Sequence, residues 1–243
     1  MVLHPGIQHI SFTGTIAVGQ RIFQNCAKTL KKVVLELAGN NACIICEDVD
    51  LAKVVPSVAA GCFFHAGQVC VASKRIYVHE SLYDRFLDMF IEESRKYAIS
   101  DDESNLFSPL SNKIVAGGEV QSGKKAYRIA PTIVSKPPED SLLVREEQFS
   151  PIAPIMSWTD EAAVIARSNL DNAGLGASVY TPDINRAQKI ARSLECGSVW
   201  INRFERPHHG AYFGGWKMSG YGGEMGRQGL YNYCQTQSLH IHE

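Results

Sequence analysis

The chain has 243 residues, of which 45% are hydrophobic and 20% are charged, so it can bury a core and has the composition of an ordinary globular protein. Its formal net charge of −1 gives no electrostatic reason to expect nucleic acid or a membrane surface as a partner. No apolar run approaches the roughly 18 residues of a membrane span. The first residues lack a basic region followed by an apolar stretch, so we expect no signal peptide.

The seven cysteines are odd in number and scattered through apolar segments. This pattern predicts free thiols in a reducing compartment, and we expect a cytoplasmic protein. Cys43 and Cys46 form a C-x-x-C, but the surrounding letters ACIIC predict a buried strand, and no second pair follows at zinc spacing. His240 and His242 could share one face of a strand, which makes a poor metal site. We therefore predict no metal centre.

The first part of the chain reads as strands and helices in alternation. Hydrophobic patterning predicts strands at 7–13, 33–37, 42–46 and 74–78. A turn at Gly14 precedes a helix that Thr15 could cap, and Asp50 could cap a second helix running towards Cys62. Ser81 with Asp84 resembles a capping box for a third helix.

The same alternation continues after a polar stretch at 99–125. We predict strands at 152–158, 175–180 and 198–202, and helices at 160–169 and 183–195, the last with Asp183 at its start and Gly197 beyond its end. Strands alternating with helices indicate βαβ units, so the predicted class is α/β with a mostly parallel sheet. A glycine-rich loop at 213–226 and a final strand at 235–242 complete the chain.

Two residues stand out as chemical candidates. Cys70 ends the loop GQVC beside a glycine, where a thiolate could attack a carbonyl; alone, a buried structural cysteine is the simpler interpretation. Glu36 interrupts the apolar run VVLELAG, and a carboxylate in such a run is either a functional base or a strand-end residue that reaches solvent.

Two further signals are less specific. Gly14 and Thr15, with Gly19, stand between a strand and a helix, where the first backbone N–H groups of the helix could seat a phosphate. Glu146 and Glu147 precede Phe149, and by themselves they could form an exposed acidic turn.

Taken in order, these segments resemble the aldehyde dehydrogenase superfamily along almost the whole chain. FTGT at 12–15 resembles the family's F-T-G-S turn, and LELAG at 35–39 resembles its L-E-L-G-G motif. FFHAGQVCVASKR at 63–75 resembles the signature around the nucleophile, and REEQFSP at 145–151 resembles E-E-x-F-G-P. GSVWIN at 197–202 and FGGWKMSGYGGE at 213–224 resemble the two family motifs near the carboxyl terminus.

The resemblance implies a role for each candidate. Cys70 would attack an aldehyde to give a thiohemiacetal and then a thioester, and Glu36 would activate the water that hydrolyses it. Glu147 would bind the ribose next to the nicotinamide of NAD or NADP, and Phe149 would pack near the ring. Gly14 and Thr15 would lie at the pyrophosphate and nicotinamide end of the cofactor. Asn202 would lie close to the substrate tunnel.

The resemblance also implies a domain division. Residues 1–36 would be a remnant of the Rossmann-like cofactor domain, 37–226 the catalytic domain, and 227–243 a tail whose strand is a candidate for pairing subunits. The family's P-W-N motif, with a second oxyanion donor, and its lysine-containing ribose segment have no counterpart here. A shorter connection than the family's is expected at 109–131.

Three functions are therefore compatible with the sequence. The chain could represent a dehydrogenase that oxidises a small-molecule aldehyde with NAD or NADP. It could instead be a truncated, catalytically impaired relative that acts by assembling, as a homo- or hetero-oligomer, with full-length members. Thirdly, it could use Cys70 without a nicotinamide, as a slow esterase or a thiol-modification site.

Overall fold

The computed structural model describes residues 1–97, 129–170, 172–204 and 206–242. The predicted connection at 109–131 therefore falls largely outside the described residues. The first half of the chain contains β1 (His9–Thr13), α1 (Ile16–Ala27), β2 (Lys32–Glu36), β3 (Asn41–Ile45), α2 (Leu51–Phe63), a 3₁₀ turn (Phe64–Gly67), β4 (Ser73–His79) and α3 (Tyr83–Ser94).

The second half resumes after the undescribed segment. It contains β5 (Thr132–Ser135), α4 (Leu142–Arg145), β6 (Ile152–Trp158), α5 (Glu161–Asn169), β7 (Ala173–Gly174), β8 (Gly176–Tyr180), α6 (Ile184–Ser193), β9 (Ser198–Ile201), β10 (Trp216–Lys217), β11 (Gly220–Tyr221) and α7 (Gly226–Tyr231).

The main sheet has six strands in the order β5-β6-β4-β3-β8-β9, and every neighbouring pair is parallel. This confirms the predicted α/β class. Its two faces bury separate apolar clusters. On one face α2 and α3 pack through Val58, Phe63, Phe86 and Phe90; on the other α5 and α6 pack through Val164 and Ile190. A strand that is covered on both faces has a nearly continuous apolar sequence, as in the letters ACII of β3.

A second, smaller sheet has the order β1-β2-β11, with β1 and β2 parallel and β11 antiparallel. Helix α1 covers it through a cluster that includes Ile10, Cys26 and Leu35. The glycine-rich loop returns from the far end of the chain to add β11 beside β2. The chain leaves this sheet after Glu36 and returns to it at β11, and the domain division at residue 36 stays a prediction.

Several local predictions are confirmed. The ends of β6 agree with the predicted 152–158, and Asp50 and Asp183 each accept backbone N–H bonds at the start of a helix, as predicted. Asp160 caps α5 in the same way, which the sequence reasoning did not single out. Cys43 and Cys46 are fully buried at β3, as the strand interpretation required. All seven cysteines are free thiols.

Three local predictions are wrong. Thr15 precedes α1 without a side-chain capping bond. Ser81 does not cap α3, because its hydroxyl lies 2.9 Å from His79 Nδ1 inside a 3₁₀ turn at Glu80–Leu82. The tail at 235–242 forms no strand and is exposed, because none of the strands that the structure describes pairs with it.

Helix α6 ends at Ser193, earlier than predicted, and Gly197 has a different role from a helix terminator. A Cβ at Gly197 would overlap the carbonyl oxygen of Gly214, so this glycine admits the glycine-rich loop against β9. No helix in the described part of the chain is long and apolar enough to cross a membrane.

Candidate active site

The two sheets meet at residues 37–40, the short link between β2 and β3. Strand β2 ends at Glu36, on the carboxyl side of the small sheet, and β3 begins at Asn41, on the amino side of the large one. The backbone at Glu36 is held on both sides. Gly14 N donates to the Glu36 carbonyl at 3.0 Å, and Leu37 N donates to Ser219 O at 2.7 Å. This junction places the carboxyl of Glu36 at a fixed point between the sheets.

The carboxyl group of Glu36 is buried, with 6% of the residue exposed. Neither of its oxygens has a hydrogen-bond partner among the residues that the structure describes. Burial, reinforced by the negative charge of Glu224, raises its pKa to about 8. A carboxyl group with that pKa can exchange a proton near neutral pH, which is what general-base chemistry requires.

Cys70 lies in the loop between the 3₁₀ turn and β4, and its backbone is fixed by a buried asparagine. The amide of Asn41 donates to Cys70 O at 2.8 Å and to Ala72 O at 2.7 Å, while its oxygen accepts from Gly176 N at 2.9 Å. A Cβ at Gly39 would overlap the Cys70 carbonyl oxygen. Only a glycine therefore allows the link at 37–40 to lie this close to the Cys70 loop.

The thiol of Cys70 is half-buried. Burial raises its pKa, and the carboxylates of Glu147 and Glu36 raise it further. Both acidic groups are thus close enough to act electrostatically on the sulfur. Backbone N–H groups of Val71 and Cys70 oppose the shift, since they hydrogen-bond to the thiol. The structure brings Cys70, Glu36 and Glu147 together, as the motifs implied.

Glu147 and Phe149 come from the segment that precedes β6. Gly39 N donates to Glu147 Oε1 at 3.1 Å, which ties this segment to the link between the sheets. Phe149 is 43% exposed, and Lys74 Nζ lies 5.6 Å from the centroid of its ring. An exposed aromatic face beside a fixed carboxylate is suited to a flat, hydroxyl-bearing ligand.

Gly14 and Thr15 lie at the amino end of α1, directly after β1, and Gly14 is joined to Glu36 by its N–H bond. Gly19 is not part of this turn. It lies inside α1, where an added Cβ would be 2.6 Å from Leu37 Cδ2, so its role is close packing of helix on strand.

Asn202 is not brought together with the other candidates. It follows β9 at the carboxyl edge of the large sheet, and its amide group accepts from Thr181 N at 2.9 Å and donates to Thr181 O at 2.8 Å. Cys70 is held at the amino edge of the sheet, beside Gly176 and Ser198, the first residues of β8 and β9. Asn202 comes four residues after Ser198 along the strand, which is a distance of about 13 Å. A substrate contact by Asn202 remains a prediction.

Sequence reasoning missed three buried polar residues that build the site: Asn41, Lys74 and Arg75. Arg75 donates to the carbonyls of Asn40 and Ser168, both at 2.9 Å, and so fixes the start of β4. Their signal was available, because each is a polar residue at the first positions of an otherwise apolar strand. The part of the chain that the structure describes contains no group of three or more His, Cys, Asp or Glu residues suited to a metal ion.

The fold is a parallel α/β sheet beside a second, small sheet, and between them a cysteine thiol lies near a buried carboxyl group that has no hydrogen-bond partner among the described residues. The model of the aldehyde dehydrogenase family matches residues 1–113 and 108–239. The chain belongs to the aldehyde dehydrogenase family.

Individual relatives agree with this assignment. The chain is 36% identical to the aldehyde dehydrogenase of Davidiella tassiana, covering 98% of this chain and 52% of the relative. It is 35% identical to the cytosolic aldehyde dehydrogenase 1 of Rattus norvegicus, covering 97% of this chain and 51% of the relative. The chain thus spans about half the length of the curated relatives it matches.

Solved structures give the same result. Lactaldehyde dehydrogenase from Escherichia coli superposes with a TM-score of 0.91 at 28% identity, over 99% of this chain and 55% of that one. Betaine aldehyde dehydrogenase from Staphylococcus aureus, in complex with NAD+, gives 0.89 at 31% identity over 96% and 51%. An E. coli NADP-dependent enzyme gives 0.89 at 34% identity over 96% and 52%.

Proposed function

We propose that this chain carries the nucleophile and the base of an aldehyde dehydrogenase that oxidises an aldehyde to a carboxylic acid with NAD or NADP. The observation that supports it best is the buried Glu36 carboxyl, unpartnered within the described structure and close enough to Cys70 to raise the pKa of its thiol. A thiol and a poised base are the two groups that thioester formation and hydrolysis need.

In this proposal the sulfur of Cys70 attacks the aldehyde carbon, and its thiol proton passes to a base. The carbonyl oxygen becomes an oxyanion, which backbone N–H groups at Cys70 and Val71 can stabilise because they already face the sulfur. The nicotinamide, when bound, serves as the acceptor for the hydride of the thiohemiacetal. Cys70 then holds the acyl group as a thioester.

Glu36 completes the reaction in its ionised form. Its carboxylate takes a proton from a water molecule, whose oxygen attacks the thioester carbon. The C–S bond breaks, the acid leaves, and the Cys70 thiol is regenerated. Since the pKa of Glu36 is about 8, hydrolysis should accelerate as the pH rises towards that value.

The residues present fit the nicotinamide end of the cofactor. The half-exposed Phe149 ring offers a face for stacking, and the Glu147 carboxylate, fixed by Gly39 N, offers an acceptor for ribose hydroxyls. The first turn of α1, directly after Gly14 and Thr15, offers backbone N–H groups to a phosphate. One relative structure contains NAD+ and another is named as NADP-dependent, so both cofactors are included in the proposal.

The decisive measurement follows the absorbance of reduced cofactor when the purified chain is mixed with a short aliphatic aldehyde and either NAD or NADP. Turnover should be lost in Cys70→Ser and slowed at least about 100-fold in Glu36→Gln. Cys234→Ser, which removes an exposed thiol of the tail, is the matched control and should leave turnover unchanged. Absence of reduced cofactor at every cofactor concentration would contradict the proposal for this chain.

A second candidate is assembly with full-length relatives by a chain of impaired activity. Strands β1 and β9 are the outer strands of their sheets, and the tail exposes Leu239 and Ile241 to 81% and 80%. Co-purification with a full-length family member, together with no turnover of its own, would favour this candidate. Ester hydrolysis that depends on Cys70 without reduced cofactor would instead favour an esterase. We expect a cytoplasmic location for any of the three.

A further inference from the structure

The loop before Cys70 is held in an unusual conformation. His65, Ala66 and Gly67 have φ angles of 49°, 55° and 70°, so three consecutive residues are left-handed. Such a backbone is strained at each non-glycine residue and persists only where the surroundings fix it. The contacts that fix this left-handed turn also set the position of the nucleophile three residues later.

One of these contacts comes from a buried lysine. Lys74 is only 1% exposed, although a buried ammonium group is destabilising unless hydrogen-bond acceptors or opposite charges bind it. Its Nζ donates to the carbonyl oxygen of Gly67 in the left-handed turn. The same Nζ lies 5.6 Å from the centroid of the Phe149 ring, on the segment that also contains Glu147.

The left-handed turn and the 147–150 segment are in direct contact. A Cβ at Gly67 would overlap the carbonyl oxygen of Ser150, so the two backbones approach as closely as a glycine permits. Gln148 Nε2 also donates to Lys74 O at 3.5 Å. Lys74 therefore joins the loop of the proposed nucleophile to the segment of the proposed cofactor contacts.

We propose that Lys74 is a positioning residue, whose ammonium group holds the left-handed turn at 65–67 against the 147–150 segment and thereby keeps Cys70 half-buried beside Glu147. It acts through the Gly67 carbonyl and not by contact with substrate. The inference rests on the proposed role of Cys70 as nucleophile.

The test is the pH profile of Cys70 alkylation by iodoacetamide, which needs neither aldehyde nor cofactor and so can fail independently of the proposed function. Peptide mass spectrometry reports Cys70, and the exposed Cys234 in the same sample is the internal reference. In Lys74→Met the donor is lost, the turn loosens, and Cys70 becomes hydrated. The pH profile of Cys70 alkylation should move to lower pH. At pH 8 the alkylation rate of Cys70 relative to that of Cys234 should rise about ten-fold, which corresponds to about one pKa unit.

Two further variants separate positioning from general destabilisation. Lys74→Gln keeps an N–H donor without the charge and should return the profile towards that of the wild type. Val78→Ala creates a cavity on the same strand, away from the turn, and should leave the profile unchanged. An unchanged profile in Lys74→Met, or an equal shift in Val78→Ala, would overturn the proposal.

Should Lys74→Met fail to fold, Phe149→Leu provides the second measurement. Removing the ring exposes the ammonium group to water and weakens its hold on Gly67, so the Cys70 profile should shift in the same direction by a smaller amount. No shift in Phe149→Leu would also overturn the proposal.

Discussion

Glu36 is the residue whose ionisation links the proposed chemistry to stability. Its pKa rises from an ordinary value of 4.5 to about 8 because the group is buried without a hydrogen-bond partner in the described structure. Between these two values the folded chain keeps a proton that the unfolded chain has lost. The contribution of protonated Glu36 to the free energy of unfolding is therefore fully present below pH 4.5. It is lost as the pH rises from there through 8, and the loss is at most about 5 kcal/mol.

Glu36→Gln removes this pH dependence. The variant should match the wild type near pH 5 and exceed it in urea midpoint at pH 9, because it no longer buries a carboxylate. Equilibrium unfolding in urea at both pH values measures the difference. Glu92→Gln, at an exposed ion pair on α3, is the control and should change little at either pH. An advantage of Glu36→Gln that is the same at pH 5 and pH 9 would contradict the assignment.

Asn41 supports the nucleophile loop with three hydrogen bonds from one buried side chain. Asn41→Ala leaves two carbonyls and one N–H without their partner, so we expect a loss of about 3 kcal/mol in the free energy of unfolding. Denaturant titration measures it. Asn25→Ala, which removes an exposed bond to Arg21 O, serves as the comparison and should cost under about 1 kcal/mol. Equal losses in the two variants would show that Asn41 has no special role.

Helix starts show how far local sequence determines an element. Asp183 accepts N–H bonds from Asn185 and Arg186 at 2.9 and 3.1 Å, as its position before an amphipathic stretch predicted. Thr15 and Ser81 are equally good capping residues by type, yet neither caps its helix. At Ser81 the imidazole of His79 takes the hydroxyl instead. A nearby side chain that competes for the hydroxyl, as at Ser81, therefore removes a cap that the residue type predicts, and Thr15 shows that the residue type by itself does not ensure one.

Asp183→Ala should lower the free energy of unfolding by about 1 kcal/mol, since two N–H groups of α6 lose their acceptor. Thermal unfolding followed by circular dichroism measures this loss. Asp183→Asn is the matched variant, because asparagine caps as well as aspartate, and should stay within a few tenths of a kcal/mol of the wild type. A loss in Asp183→Asn as large as in Asp183→Ala would indicate that the charge matters more than the cap.

At the scale of the whole molecule, residues 235–242 of the tail pair with no strand in the part of the chain that the structure describes. Residues 235–242 are exposed and form no strand, although their composition predicts one. A strand needs a neighbouring strand for its hydrogen bonds, and an exposed apolar strand edge is prone to pair with another chain. The tail is therefore the segment whose conformation should differ most between the isolated chain and an assembly of chains.

Removing residues 235–243 should leave the urea midpoint of the remaining chain within about 0.5 kcal/mol of the wild type, because no buried contact is lost. It should also reduce any oligomer to a monomer, as light scattering after size-exclusion chromatography would show. Replacing Leu239 and Ile241 together by serine keeps the length of the tail and should have the same effect on mass. An oligomer that survives both changes would exclude the tail as its pairing segment.

The sequence by itself determined the α/β class, most strands and helices of the large sheet, and the family, because buried parallel strands are read as apolar runs and the motif letters are local. It also marked Cys70, Glu36 and Glu147 as candidates through their motifs, and the glycines near the first two, Gly67 and Gly39, are positions of close backbone approach. Only the tertiary structure shows which of these side chains lie close together. Asn202 lies at the opposite edge of the sheet because a parallel strand carries its two ends apart, and no local pattern records that separation.

The contacts of the supporting residues depend on packing. The sequence marks Asn41 and Lys74 as polar residues at the start of apolar strands, but only the fold shows that they are buried against the backbone carbonyls of Cys70 and Gly67. Likewise Gly19 became a packing contact and β11 joined a sheet formed by residues almost 200 positions earlier. Such contacts join segments that are far apart in the chain. The distances between these segments cannot be read from local sequence patterns, because the folded backbone sets them.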